Sequence, residues 1–198
     1  MMLRIHQRVK TIETLGPGLR YGLWVQGCTR GCPGCVSPGA QDPAGGYEST
    51  VEEIAREILE TEDIEGITIS GGEPFLQQEA LARLIDLVRA EKNLGVLVYT
   101  GFGYPEIAMT ELARRCDAII DGPYIEEKND GRSLRGSSNQ RLILLTERYL
   151  GSLQIGRRGR QVQMHRTQEG STVLVGVPSR SHVRYGQAVG HFLKGDGM

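Results

Sequence analysis

The feature that most restricts the fold of this chain is a repeated exchange of short β-branched runs with amphipathic helical ones. Gly66-Ile67-Thr68-Ile69-Ser70, Gly95-Val96-Leu97-Val98-Tyr99-Thr100 and Ala118-Ile119-Ile120-Asp121 read as strands, recurring roughly every 25 residues. Helical spacing fills the intervals. Val51, Ile54, Ala55, Ile58 and Leu59 follow a Thr50–Glu53 capping box, and Leu81, Leu84, Ile85 and Val88 form the next apolar stripe. Pro105 predicts the opening of a further helix that runs through about Arg115. Upstream, residues 3–9 and 19–25 read as strands joined by a turn at Gly16-Pro17-Gly18, and residues 37–49 read as a loop. Strand–helix–strand repetition of this kind gives an α/β fold with a parallel sheet and helices on one or both faces.

Strand polarity links this fold to function. Sites in parallel sheets lie at the carboxyl ends of the strands. Three unusual segments follow strand ends here: Cys28–Cys35, Gly71-Gly72-Glu73-Pro74 and Asp121-Gly122-Pro123-Tyr124. They are expected to meet on one rim.

The end of the chain has a different character. From Gly151 onward there are seven Lys+Arg against two Asp+Glu, while residues 1–150 hold 16 against 22. Gln161–Met164 and Thr172–Val175 flank Gln168-Glu169-Gly170 and read as a β-hairpin, and His182–Leu193 as a short helix. The expected organisation is a main domain over residues 1–150 and a basic appendage over 151–198. The appendage either folds back on the acidic body or docks an acidic partner.

Composition excludes several classes. With 39% apolar and 24% charged residues the chain is of globular type, and no apolar run reaches the roughly 20 residues of a membrane helix. The formal net charge of -1 gives no overall footprint for nucleic acid. Met1-Met2-Leu3-Arg4-Ile5-His6 lacks an apolar secretory core, so a cytoplasmic location is expected.

Three of the four cysteines, Cys28, Cys32 and Cys35, fall within eight residues. Disulfides are rare in the cytosol, so this crowding points to metal or redox chemistry. Zinc commonly takes four ligands and would need Cys116 or His6 as a distant fourth. An iron–sulfur cube held by three thiolates keeps one iron open for an external ligand. Gly27, Gly31 and Gly34 suit a loop that wraps tightly and turns N–H groups toward sulfur. Cys116 stands alone between Arg115 and Asp117 and reads as buried packing.

Cys28-Thr29-Arg30-Gly31-Cys32-Pro33-Gly34-Cys35 resembles the cluster loop of radical S-adenosylmethionine enzymes, and its Cys-Pro-Gly-Cys ending is similar to the activating enzymes of anaerobic ribonucleotide reductases. Gly16-Pro17-Gly18 with Arg20 resembles the family's approach to that loop, and Gly71-Gly72-Glu73-Pro74 its methionine-binding motif. Asp121-Gly122-Pro123-Tyr124 with Arg135-Gly136-Ser137-Ser138-Asn139-Gln140 resembles a late signature of the activase branch.

The resemblance implies a partial (β/α) barrel, here with a C-terminal hairpin extension. It implies a [4Fe-4S] cluster on Cys28, Cys32 and Cys35, and S-adenosyl-L-methionine chelated to the open iron. Reduction of the bound sulfonium then gives a 5′-deoxyadenosyl radical that abstracts hydrogen. Gly71, Gly72 and Glu73 are implied at the methionine amine. Thr100 and Asp121, both at strand ends, are candidate cofactor contacts, against the simpler roles of a backbone-bonded hydroxyl and a loop-capping carboxylate. Asn139 and Gln140 are implied at the site or the partner surface. The implied partners are a glycyl-radical reductase as substrate and an electron donor such as flavodoxin or ferredoxin, with no nucleic acid and no membrane. Two alternatives stay open: a radical enzyme acting on another peptide or a small molecule, and a non-catalytic zinc or iron–sulfur module.

Overall fold

The computed structural model describes residues 1–157, 159–166 and 172–177. A seven-stranded sheet has the order β3-β1-β2-β4-β5-β6-β7. Its strands are β1 (Met2–Ile12), β2 (Arg20–Val25), β3 (Tyr47–Thr50), β4 (Gly66–Gly71), β5 (Gly95–Tyr99), β6 (Ala118–Asp121) and β7 (Arg141–Leu144). The four central strands, β2, β4, β5 and β6, run parallel. β1 and β3 on one side and β7 on the other pair antiparallel. The fold is thus mixed α/β with a parallel centre.

Two helices cover one face, α1 (Val51–Glu60) and α2 (Gln78–Glu91). The Thr50 hydroxyl oxygen accepts the Glu53 N–H at 3.2 Å, and Glu53 Oε2 accepts the Thr50 N–H at 2.9 Å. This reciprocal cap satisfies two amides that a helix start leaves open. α1 buries Val51, Ile54, Ala55 and Ile58, and α2 buries Leu81, Leu84, Ile85 and Val88. They pack on Ile67, Ile69, Val96, Val98 and Ile119 of the sheet. Alternation along the strands sends Leu97, Ala118 and Ile120 to the opposite face, where Tyr149 and Leu153 cover them.

The turn before β2 is shaped by a buried cation. Arg20 is fully buried and donates to Thr68 Oγ1 at 2.6 Å, Ile67 O at 2.8 Å and Gly95 O at 3.2 Å. A Cβ on Gly66 would lie 2.5 Å from its Nη1, so only glycine leaves it room.

Two local expectations need correction, and one strand was not among them. Tyr47–Thr50, expected as loop through residue 49 with Thr50 as a helix cap, is an edge strand paired with β1, and its exposed Tyr47 and Glu48 give no alternating apolar signal. Arg141–Leu144 forms a further edge strand. The helix expected over 105–115 is one turn, α3 (Tyr104–Ile107), followed by a 3-10 turn at Ala113–Arg115. Thr110 marks the break: its hydroxyl donates to Ile107 O at 2.7 Å and accepts the Ala113 N–H at 3.3 Å.

β8 (Val162–Arg166) and β9 (Thr172–Gly176) pair antiparallel as a separate two-stranded sheet. The residues that join them and the helix expected over 182–193 lie outside the described residues. Val175 and Val177 bury against Ile12 and Leu15. Among the described residues no helix is long and apolar enough to cross a membrane.

Candidate active site

The carboxyl ends of β2, β4 and β5 and the loop after β6 line one cavity. It takes Cys28, Cys32 and Cys35 from the loop after β2, Gly71, Gly72 and Glu73 from the end of β4, Thr100 from the end of β5, and Gly122 and Tyr124 from beyond β6. The three special segments therefore meet on one rim.

The cysteine loop is stitched down at both ends. Gly27 N–H donates to Ala40 O at 2.8 Å and Cys28 N–H to Gln41 O at 2.9 Å. Glu73 N–H donates to Gly27 O at 2.8 Å. Gly31 and Gly34 adopt φ of +56° and +67°, conformations that favour glycine. Amides turn toward sulfur: Arg30 N–H to Cys28 Sγ and Ser37 N–H to Cys35 Sγ, each at 3.4 Å. Such donors stabilise thiolate and tune a bound cluster. Burial pushes the Cys32 thiol above its ordinary value, opposed by a backbone bond from Tyr124.

Gly71 and Gly72 have a steric reason to be glycine. A Cβ on Gly71 would lie 2.4 Å from Val25 N, and one on Gly72 would lie 2.2 Å from Gly27 O. Gly71 admits the backbone at the end of β2, and Gly72 admits the start of the cysteine loop, both pressed against the end of β4.

Glu73 is 1% exposed. Its Oε1 accepts the Thr100 hydroxyl at 2.7 Å and the Phe75 N–H at 3.1 Å, and its Oε2 accepts the Gly101 N–H at 2.8 Å. Burial pushes its carboxyl above the usual carboxylate range, while these donors pull it back. The side chain is both a cap for the Pro74–Gln77 turn and an anionic wall of the cavity.

Two groups escaped the sequence reading. Arg30, inside the cysteine loop, stacks its guanidinium over Phe102 at 4.1 Å from the ring centre, and its Nε is buried without a partner. Its position flanks Glu73: a Cβ on Gly101 would lie 3.3 Å from Arg30 Nε and 3.4 Å from Glu73 Oε2. The Tyr99 hydroxyl, also on the cavity wall, is buried without a partner too. The available signals were a basic residue between two cysteines and the strand-end position next to Thr100.

Other expected residues lie elsewhere. Asp121 is fully buried and outside the cavity lining. Its Oδ1 accepts Arg141 Nε at 3.0 Å, and its Oδ2 accepts the Tyr104 N–H at 2.7 Å and a second Arg141 nitrogen. Gln140 lines the cavity, with its Oε1 taken by Gly136 N–H and its Nε2 by Gly122 O. Asn139 does not line it and donates to Pro123 O at 2.8 Å. Cys116 is buried in the apolar core, donates to Leu112 O at 3.2 Å, and burial pushes its thiol up. His6 pairs with Gln26 outside the cavity. Neither fourth ligand of the zinc reading is therefore at hand. Among the described residues no three His, Cys, Asp or Glu side chains gather where a single ion would sit.

Residues 14–143 match the 4Fe-4S single cluster domain family, and the chain belongs to that family as an activating enzyme of the radical S-adenosylmethionine type. Among curated proteins it is 34% identical over 135 residues to the anaerobic ribonucleoside-triphosphate reductase-activating protein of Enterobacteria phage T4, covering 64% of this chain and 85% of that protein. It is 29% identical over 148 residues to the protein of that description from Escherichia coli strain K12, covering 70% and 96%. It is 33% identical over 122 residues to the pyruvate formate-lyase-activating enzyme of Clostridium pasteurianum, covering 57% and 50%.

Proposed function

We propose that this chain cleaves S-adenosyl-L-methionine reductively at a [4Fe-4S] cluster and installs a glycyl radical on an anaerobic ribonucleotide reductase. The observation that carries the reading is the meeting of three thiols, the Gly71–Glu73 turn and Thr100 around one cavity.

Cys28, Cys32 and Cys35 are the cluster ligands on this reading, with Arg30 and Ser37 amides bonded to two of the sulfurs. The donor set fits: three thiols share one cavity, and neither Cys116 nor His6 lines it with them. When bound, cluster and S-adenosylmethionine together supply a 5′-deoxyadenosyl radical that takes hydrogen from a glycine Cα. The chain binds and orients. Glu73 accepts the methionine ammonium, held in place by Thr100 and Gly101. Arg30, with its unpartnered Nε beside Glu73, faces the carboxylate, so anion and cation together match an α-amino acid zwitterion. Gly71 and Gly72 let the two segments close on one another. Asp121 acts at one remove by tying the end of β6 to Arg141 and Tyr104.

The open sheet is read as a partial (β/α) barrel domain over residues 1–150, with residues 151–198 as its appendage. The family match ending at 143 and the separate β8–β9 sheet support that division. The enzyme works in the cytoplasm, with a one-electron donor such as flavodoxin or ferredoxin.

The test is anaerobic reconstitution followed by reduction with S-adenosylmethionine present. About four irons and four sulfides per chain, with release of 5′-deoxyadenosine, are expected. Stoichiometric zinc without sulfide contradicts the reading.

A further inference from the structure

A radical activase that acts on a glycine faces a recognition problem. Glycine has no side chain to grip, so a glycine-bearing segment must be held through its backbone and its neighbours. An extended peptide added to a free strand edge meets that need, because main-chain hydrogen bonds hold it whatever its side chains.

The structure holds such an edge beside the cavity. A channel runs over His6, Gln7 and Trp24, with the residues just after Cys35 on one bank and Val173 and Leu174 of β9 on the other. It is continuous with the cysteine cavity, since Trp24, Val36 and Ser37 line both. β9 has a strand partner only in β8 among the described residues, and no β8 residue lines this channel. Val173 and Leu174 are consecutive and line it together, so β9 borders the channel along a flank that no strand covers among the described residues. Each bank carries an exposed apolar side chain, Val36 at 41% and Leu174 at 45%.

The β9 bank is fixed in place. Val175 and Val177, 1% and 8% exposed, sit in the cluster with Ile12 and Leu15. Thr14 Oγ1 donates to Val175 O at 3.3 Å, and Glu13 N–H donates to Gln163 Oε1 at 3.0 Å. Gly176 and Val177 then continue into the cavity wall. An anchored strand edge that leads into a reactive cavity is a pre-organised guide, which lowers the ordering cost of docking. The hairpin lies beyond residue 143, where the family match ends, so the guide is an addition to the shared domain.

We propose that the polypeptide substrate lies extended in this channel, paired to the free edge of β9, with its reactive glycine turned into the cavity. The proposal rests on the activase reading above and names the surface on which the partner is held.

The test uses the full chain, reconstituted, with an anaerobic ribonucleoside-triphosphate reductase as the probe. A photo-crosslinking residue is placed at Leu174 and, in a second protein, at Met109, which is 78% exposed and outside the channel. Crosslinking from position 174 to the glycine-bearing segment of the reductase, with none from 109, is expected. A Leu174→Glu variant should raise KM for the reductase about tenfold with kcat retained, as for a lost docking contact. Radical formation without a crosslink from 174, a crosslink to another part of the reductase, or an unchanged KM overturns the channel and leaves the activase reading standing. A wild-type chain that forms no radical on the reductase brings down that reading and the channel with it.

Discussion

Glu73 Oε1 accepts the Thr100 hydroxyl at 2.7 Å, joining the ends of two neighbouring parallel strands through one buried carboxylate. Glu73→Gln keeps the shape and removes the charge. It should weaken S-adenosylmethionine binding by roughly 1.5–3 kcal/mol, about ten- to a hundredfold, with iron content unchanged. Equilibrium binding to the reconstituted protein measures this, and unchanged affinity returns Glu73 to its capping role. Burial raises the Glu73 carboxyl, so the stability tied to this group is present on the acid side and falls as pH rises through the raised value. Binding an ammonium needs the ionised form. Affinity should therefore fall on acidification in the wild type and much less in Glu73→Gln.

Single Cys28→Ala, Cys32→Ala and Cys35→Ala variants should each lose the cluster, read as iron and sulfide content and as the visible absorbance of the reconstituted protein. Cys116→Ala should retain both, because its thiol bonds to Leu112 O within the apolar core. Loss of the cluster in Cys116→Ala alone would reassign the ligand set.

Much of this site was legible before the structure, and for a physical reason. β-Branched runs that end in glycine fix the strand ends, and strand ends in a parallel sheet converge, so Cys28–Cys35, Gly71–Glu73 and Thr100 had to be neighbours. Asp121 is the strand-end candidate that does not line the cavity. Its position at a strand end is right, but its side chain is consumed by Arg141, a residue on a strand that exposed residues hid from the sequence. Tyr47–Thr50 was missed for the same reason, since an edge strand with little burial carries no period-two pattern. Arg30 was missed because its partner Phe102 is brought to it only by the fold.

Arg30→Ala removes the guanidinium over Phe102 and the unpartnered Nε beside Glu73. S-adenosylmethionine affinity should drop about tenfold, the scale of one charged hydrogen bond. Arg30→Lys keeps the charge but loses the planar stack, so it should recover only part of the loss. Equal affinity in all three proteins would leave Arg30 a packing residue.

The Asp121–Arg141 pair predicts a pH-dependent stability. Although burial opposes it, the Arg141 guanidinium and Tyr104 N–H hold the Asp121 carboxyl below its usual value. A depressed carboxyl contributes stability above its unfolded value of about 3.9 and loses it as pH falls through the folded one. Arg141→Ala leaves the buried carboxylate short of a partner and should cost about 1–3 kcal/mol at neutral pH. Denaturant unfolding as a function of pH should show a smaller acid-side decline in the variant, and parallel curves would dismiss the pair as a contributor.

The central claim is that this chain places a radical on a glycine of another protein. Reduced, reconstituted enzyme is mixed anaerobically with S-adenosylmethionine and an anaerobic ribonucleotide reductase, and the sample is read by electron paramagnetic resonance. The account predicts a glycine-centred radical on the reductase that is absent with Cys32→Ala and lost when the target glycine is replaced by alanine. Release of 5′-deoxyadenosine with no radical on the reductase would contradict it.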